Sequence, residues 1–114
     1  MGGLAVAMGA FAAHGLARTL EARMLAVFET GARYHMVHAL AMGLAALAAR
    51  GAAAKVANIA AALFLAGILL FSGSLYLLAL TGVTALGMIT PLGGLCLIAG
   101  WIALAFAALK LQDS

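Results

Sequence analysis

The chain has 114 residues, 68% of them hydrophobic and only 8% charged, with a mean hydropathy of +1.22. One compact unit of this length cannot hide so much apolar surface from water, so the expected solvent is lipid. The net charge of +3 comes from six scattered bases, Arg18, Arg23, Arg33, Arg50, Lys55 and Lys110. They bracket apolar segments instead of forming a patch, which excludes nucleic acid as the expected partner and leaves the lipid bilayer.

A helix that crosses a bilayer takes about 20 mostly apolar residues, with a range of about 17–25. The charges divide the chain into four such stretches, about 1–17, 31–49, 56–81 and 86–109. The first is short and closes at Arg18. Its opening, "MGGLAVAMGAFAAHGL", has no basic leader, so it reads as a retained helix and not as a signal peptide. Its length leaves room for a natural start upstream of Met1.

The next segment, 18–30, "RTLEARMLAVFET", has a different pattern. Leu16, Leu20, Met24, Val27 and Phe28 fall on one side at helical spacing, with Arg18, Glu21, Arg23 and Glu29 away from them. This predicts a short amphipathic helix resting in the membrane interface. Glu29 and Arg33 stand in the favourable order for a helical ion pair.

The second stretch opens with "GARYHMVHAL", which puts Arg33, Tyr34, His35 and His38 at the mouth of an alanine- and leucine-rich run. The third ends in "FSGSLY", which carries Ser72, Ser74 and Tyr76. In the fourth, Thr90-Pro91 predicts a helix start, since proline is comfortable at the first helical position and threonine can cap. The helix is expected from Pro91 to about Leu109, with 82–90 as an apolar connection; the alternative is a start near Leu86 with a kink at Pro91. Cys96 lies in an apolar run and has no second cysteine to pair with.

The expected architecture is an all-α membrane protein, an antiparallel four-helix transmembrane bundle with a short interfacial helix between helices 1 and 2. It is a single domain over 1–114. Four spans put both termini on one side. Arg50, Lys55 and Lys110 then face Arg18, Arg23 and Arg33 across the membrane, so the bases do not fix orientation. Ala5, Gly9 and Ala13 on helix 1, and Ala41, Ala45 and Ala49 on helix 2, form rows of small residues that let helices approach closely.

The polar residues within these spans gather toward one face. At about 1.5 Å of rise per residue, His14, Arg33, Tyr34, His38, Ser72, Ser74, Tyr76 and Thr90 fall within about 5–15 Å of the same side. Ionisable groups inside a membrane usually face the bundle interior, where they hold helices together or mark a site.

Several functions are compatible with that layer. A non-enzymatic structural, accessory or assembly subunit, with another membrane protein or a second copy as partner, needs only the polar glue. A small transporter, channel or proton path would use His14, Arg33, Tyr34, His38 and Tyr76. It lacks a carboxylate in the core, since the only acids are Glu21, Glu29 and Asp113. The same shortage leaves no orienting acid for a hydrolase, so no catalytic residue is expected. His14 and His38 could ligate a haem iron from facing helices, and His14, His35 and His38 could hold zinc. Neither pattern has supporting ligands, so no cofactor or metal is expected. A lipid phosphate or small anion could bind the amides of Leu92, Gly93 and Gly94 at the start of helix 4, with Arg33 beside them.

"GAFAAHGL", "GARYHMVHALA", "FSGSLYLLAL" and "ITPLGGLCLIAGW", one per helix and in this order, resemble a family of small membrane proteins, domain of unknown function 423. The family includes bacterial inner-membrane proteins and the animal transmembrane protein 256. The resemblance covers nearly the whole chain and implies a four-helix membrane protein with no established activity and no catalytic residues. Relatives commonly have glutamine where this chain has His35, so a metal site using both His35 and His38 would not be a family trait. They also usually have a longer first helix. The family implies a bacterial inner-membrane location with both termini in the cytoplasm, which turns the polar layer to the outer side.

Overall fold

Alanine, leucine and glycine in long runs, with one proline in the chain, give the backbone little reason to leave the helix. In lipid, the helix is also how a single segment satisfies all its own amides. The computed structural model describes residues 1–111, which are helical between short turns, with no strand among the described residues. Asp113 lies outside them. The helices are α1 (Gly2–His14), α2 (Ala22–Ala48), α3 (Ala54–Gly67), α4 (Gly73–Thr81) and α5 (Thr90–Leu111). A π turn at Ile68–Ser72 joins α3 to α4, so Gly51–Thr81 forms one rod of 31 residues. Four rods result.

The short interfacial helix expected over 18–30 is not a separate element. A 3-10 turn covers Leu16–Arg18, and α2 then starts at Ala22 and runs 27 residues without a break. Nothing between Val27 and His35 interrupts it. Thr30 folds its hydroxyl back onto the Ala26 carbonyl at 2.9 Å, and Gly31 stays helical. The amphipathic residues are the first turns of the second rod. Glu29 and Arg33 share a helix surface, but no ion pair forms between them, and both are exposed.

α5 begins at Thr90 with Pro91 in its first turn, where the missing N–H has no intrahelical partner to lose. Gly82, with φ at 74°, closes α4 in the left-handed conformation. A 3-10 turn over Thr84–Met88 then leads into α5.

Packing follows small residues. The buried side of α2 reads Phe28, Gly31, Ala32, His35, His38, Ala41, Ala45 and Ala48, spacings of three and four that make one stripe. As α2 runs toward its C-terminus, its neighbours on α3 and α4 run backwards. Phe28 packs beside Ala79, Ala41 and Ala45 beside Ala60 and Phe64, and Ala48 beside Ala53 and Ala57. α5 does the same against that rod, with Leu97 beside Phe64 and Ile68, and Ala107 beside Ala53 and Ala57. α1 lies over the beginning of α2, where Ala12 and Leu16 meet Phe28. Ala5 is buried, and Gly9 and Ala13 line the α1–α2 groove with it. On α2, Ala48 is buried more deeply than Ala49.

The closest approach is between α5 and the π turn. A Cβ added at Gly93 would run into the Phe71 backbone nitrogen, with the Leu70 carbonyl carbon and Phe71 Cα each at 2.8 Å. At Gly100 it would lie 2.7 Å from the Phe64 ring. Apart from Phe28, Phe64 and a few aliphatics, the large side chains are on the outside instead. Leu40, Leu44 and Leu47 of α2 are 66%, 53% and 75% exposed, and Leu92, Leu95 and Ile98 of α5 are similarly open. Alanine and glycine inside with leucine outside inverts the arrangement of a water-soluble domain.

The rods form a slab with Cα extents of 52 × 26 × 14 Å. Gly51–Thr81 and Thr84–Leu111 are each long and apolar enough to cross a membrane. α1 has 13 residues, and α2 is diluted by Arg33, Tyr34, His35 and His38.

Gly93→Ala is expected to destabilise the fold by about 1–3 kcal/mol, because its methyl group meets backbone that cannot turn aside. Gly43→Ala, whose Cβ meets nothing within 4 Å, should be neutral or mildly stabilising, since alanine is the better helix former. Thermal unfolding in detergent, followed by circular dichroism, compares the two.

Candidate functional site

"GARYHMVHAL" occupies the middle of α2, and its polar residues point to two different neighbours. Gly31 is the first element of this arrangement. Its missing side chain lets the Tyr76 ring of α4 lie against α2, where an added Cβ would be 3.1 Å from Tyr76 Cε1. Tyr76 then reaches His35, one turn further along α2.

His35 is fully buried. Its Nδ1 lies 2.9 Å from the Tyr76 hydroxyl, and its Nε2 lies 3.3 Å from the Met1 sulfur. A thioether can only accept, so Nε2 carries the proton and the Tyr76 hydroxyl donates to Nδ1. Phe28 packs on the other side of Tyr76, with ring centroids 4.7 Å apart. This cluster belongs to the α1, α2 and α4 side of the molecule.

His38 belongs to the opposite side. Its Nδ1–H donates to the Tyr34 carbonyl at 2.8 Å, and its Nε2 accepts the Trp101 indole N–H at 3.0 Å. Indole N–H can only donate, so His38 is the other neutral tautomer. Tyr34 stacks on His38 with 10° between the planes, and Phe64 and Trp101 meet edge to face 5.2 Å apart. Tyr34 also contacts Phe71, with centroids 4.6 Å apart. Trp101 was absent from the sequence-based site. It sits on α5 among aliphatic residues, and nothing in the local pattern separates it from an ordinary lipid-facing aromatic.

The serines divide in the same way. The Ser74 hydroxyl donates to the Phe71 carbonyl at 2.8 Å, so in the 2.5 Å pair between Ser74 and Thr90 the threonine hydroxyl donates. That bond fastens the start of α5 to α4. Ser72 lies in the π turn, completely buried, and its Oγ has no hydrogen-bond partner.

Of the predicted layer, Tyr34 and His38 meet on one side of α2, Tyr76 meets His35 on the other, and Ser74 bonds Thr90, while Ser72 stands without a partner. His14 joins none of these. α1 packs Ala12 and Leu16 against Phe28, so His14 is level with the first turns of α2. About 15 Å of helix rise separates that level from His38. His14 is exposed, which removes the facing-histidine arrangement that a haem would need. His35 and His38 already use both ring nitrogens. Among the described residues, no three His, Cys, Asp or Glu side chains are grouped to hold a metal.

Arg33 lies outside these groups on the exposed edge of α2. The anion site expected at the start of α5 is not formed. The Leu92 and Gly93 amides both bond to the Ile89 carbonyl, at 3.1 and 3.3 Å, and Gly93 is pressed onto the Phe71 backbone. Gly94 is the open member of the pair, with Phe71 Cδ2 at 3.9 Å from an added Cβ.

A small-residue interior, leucine-rich outer faces and two apolar rods of spanning length define an all-helical membrane protein. Sequence comparison gives its family. The chain matches the model of a protein family of unknown function, DUF423, over residues 8–94, and it belongs to that family. It is 47% identical to the UPF0382 membrane protein YwdK of Bacillus subtilis, over 94% of this chain and 88% of that protein. It is 47% identical to a UPF0382 membrane protein of Haemophilus influenzae, over 92% of this chain and 84% of that protein. It is 39% identical to the inner membrane protein YgdD of Escherichia coli, over 94% of this chain and 82% of that protein. No solved structure matches the chain. The family has no assigned molecular function.

The Trp101–His38 bond should contribute about 0.6–1.7 kcal/mol, the range for hydrogen bonds between membrane helices. A double-mutant cycle with Trp101→Phe and His38→Phe in detergent is expected to return a coupling of that size. No coupling would mean that the two residues only fill space.

Proposed function

We propose that the chain is a non-enzymatic structural or accessory subunit of the bacterial inner membrane, built as an antiparallel four-helix transmembrane bundle. The observation that carries this reading is the closed state of the interior histidines. Each ring has both nitrogens occupied by a neighbour from another helix or by its own backbone. Groups so engaged act as glue and leave no ring nitrogen free to take a substrate or a metal.

The acids point the same way. Glu21 and Glu29 are exposed near the start of α2, so the described interior offers no carboxylate to drive a pump. In this reading the polar α2 crosses the bilayer because the apolar rods cover it, and α1 packs along its first half. The C-terminus and the 50–55 turn lie in the cytoplasm; the N-terminus, expected beside them, is separated from that turn because Met1 packs against His35, halfway along α2. The outer leucines meet lipid and a protein partner, either another membrane protein or a second copy.

Purification from native membranes in mild detergent, with mass spectrometry of everything retained, is the test. A stoichiometric membrane partner or a defined homo-oligomer is expected. A lone monomer that carries ions after reconstitution would replace this reading with a transporter or channel. A fluorescent reporter at the C-terminus should mature in the cytoplasm, and a phosphatase at the same place should be inactive.

A further inference from the structure

Tyr34, Val37 and His38 of α2, Phe71 of the π turn, and Ile98 and Trp101 of α5 border a groove of 410 Å³ on the side of the bundle. A recess of 230 Å³, lined by Arg33, Tyr34, Val37 and His38, adjoins it. The two share Tyr34, Val37 and His38, so Arg33 lines the recess beyond one end of the groove that Trp101 borders.

The polar atoms along the groove and recess are unequally available. Both His38 nitrogens and the Trp101 indole N–H are engaged. Arg33 is exposed with no acid paired to it, and the Tyr34 hydroxyl, on a side chain 40% exposed, has no hydrogen bond. A ligand that fits therefore has one anionic end and a long apolar body. A flat ring with polar groups at both ends does not fit, because the inner end has no free donor.

Depth agrees with this. About 25 Å of helix rise separates Arg33 from Arg50, close to the hydrocarbon thickness of about 30 Å. Arg33 then stands at headgroup level and the groove descends into the acyl region.

We propose that this groove binds one anionic phospholipid. The phosphate lies against the Arg33 guanidinium and the Tyr34 hydroxyl, and one acyl chain runs along Phe71 and Ile98 to Trp101. Gly94 supplies the width, since its Cβ position is open. The site rests on the reading in which α2 crosses the bilayer beside the two apolar rods, with Arg33 and Arg50 at its two headgroup levels.

Trp101 is the only tryptophan in the chain, so its fluorescence reports on the groove directly. The full chain is reconstituted with small fractions of phosphatidylglycerol or phosphatidylcholine brominated on the acyl chains. Phosphatidylglycerol is expected to quench Trp101 about fivefold more effectively per mole, the size of one cation–headgroup attraction. Arg33→Gln should bring the two lipids to parity, and Arg50→Gln at the other end of α2 should leave the preference intact. Gly94→Leu should remove the excess quenching by filling the groove.

Equal quenching in the unaltered chain, or a preference that survives Arg33→Gln, would overturn the proposal while leaving the bundle standing. Full relief of quenching by inorganic phosphate would put a free ion at Arg33 and overturn it too. If neither brominated lipid quenches Trp101, the groove does not face acyl chains, and the bundle reading falls with it.

Discussion

The contact between Gly93 and the backbone of Phe71 sets the geometry of the molecule. Between helices in lipid there is no hydrophobic drive, so cohesion comes from close packing and from polar groups that find each other. With no side chain between them, α5 and the π turn touch backbone to backbone. That approach carries Trp101 to His38, Leu97 to Phe64 and Thr90 to Ser74. A methyl group at residue 93 would push all three pairs apart together.

The π turn is the matching feature on the other rod. A π turn inserts an extra residue into a helix and redirects the side chains that follow. Here Ser72 and Ser74 are both buried, although two residues apart on a helix normally face different ways. Ser74 joins α5 and Ser72 is left alone. The two histidines of α2 repeat the division. They are three residues apart, they carry their protons on different nitrogens, and they tie α2 to different neighbours. The centre of the bundle is thus held by two distinct polar clusters on either side of α2.

Much of the fold was legible in the sequence because charges and apolar runs alternate at helix length. Thr90-Pro91 marked the start of α5, and Ala41 and Ala45 marked the side of α2 that packs, whereas Gly9 and Ala13 of the α1 row line an open groove. The end of the first helix was harder. Arg18, Glu21 and Arg23 interrupt the apolar pattern there, and a helix that continues past charges looks the same in sequence as one that stops. Depth was read less well for His14, because the offset of α1 along α2 depends on how Ala12 and Leu16 fit against Phe28, which no local pattern records. Trp101 and the π turn were invisible for the same reason: both depend on what lies across the interface. The Leu92 and Gly93 amides read as free from Thr90-Pro91 alone. The structure bonds them to Ile89 because the 3-10 turn before α5 brings that carbonyl into reach.

The thin dimension of the slab has a consequence for stoichiometry. An extent of 14 Å holds two layers of helices at the usual interaxial spacing of about 8–10 Å, and alanine fills the seam between them. One copy has no width left over for a lumen. Any aqueous pathway through this protein would have to be enclosed by several copies around an axis, so conductance would rise with a power of the protein's surface density in the bilayer, not in proportion to it.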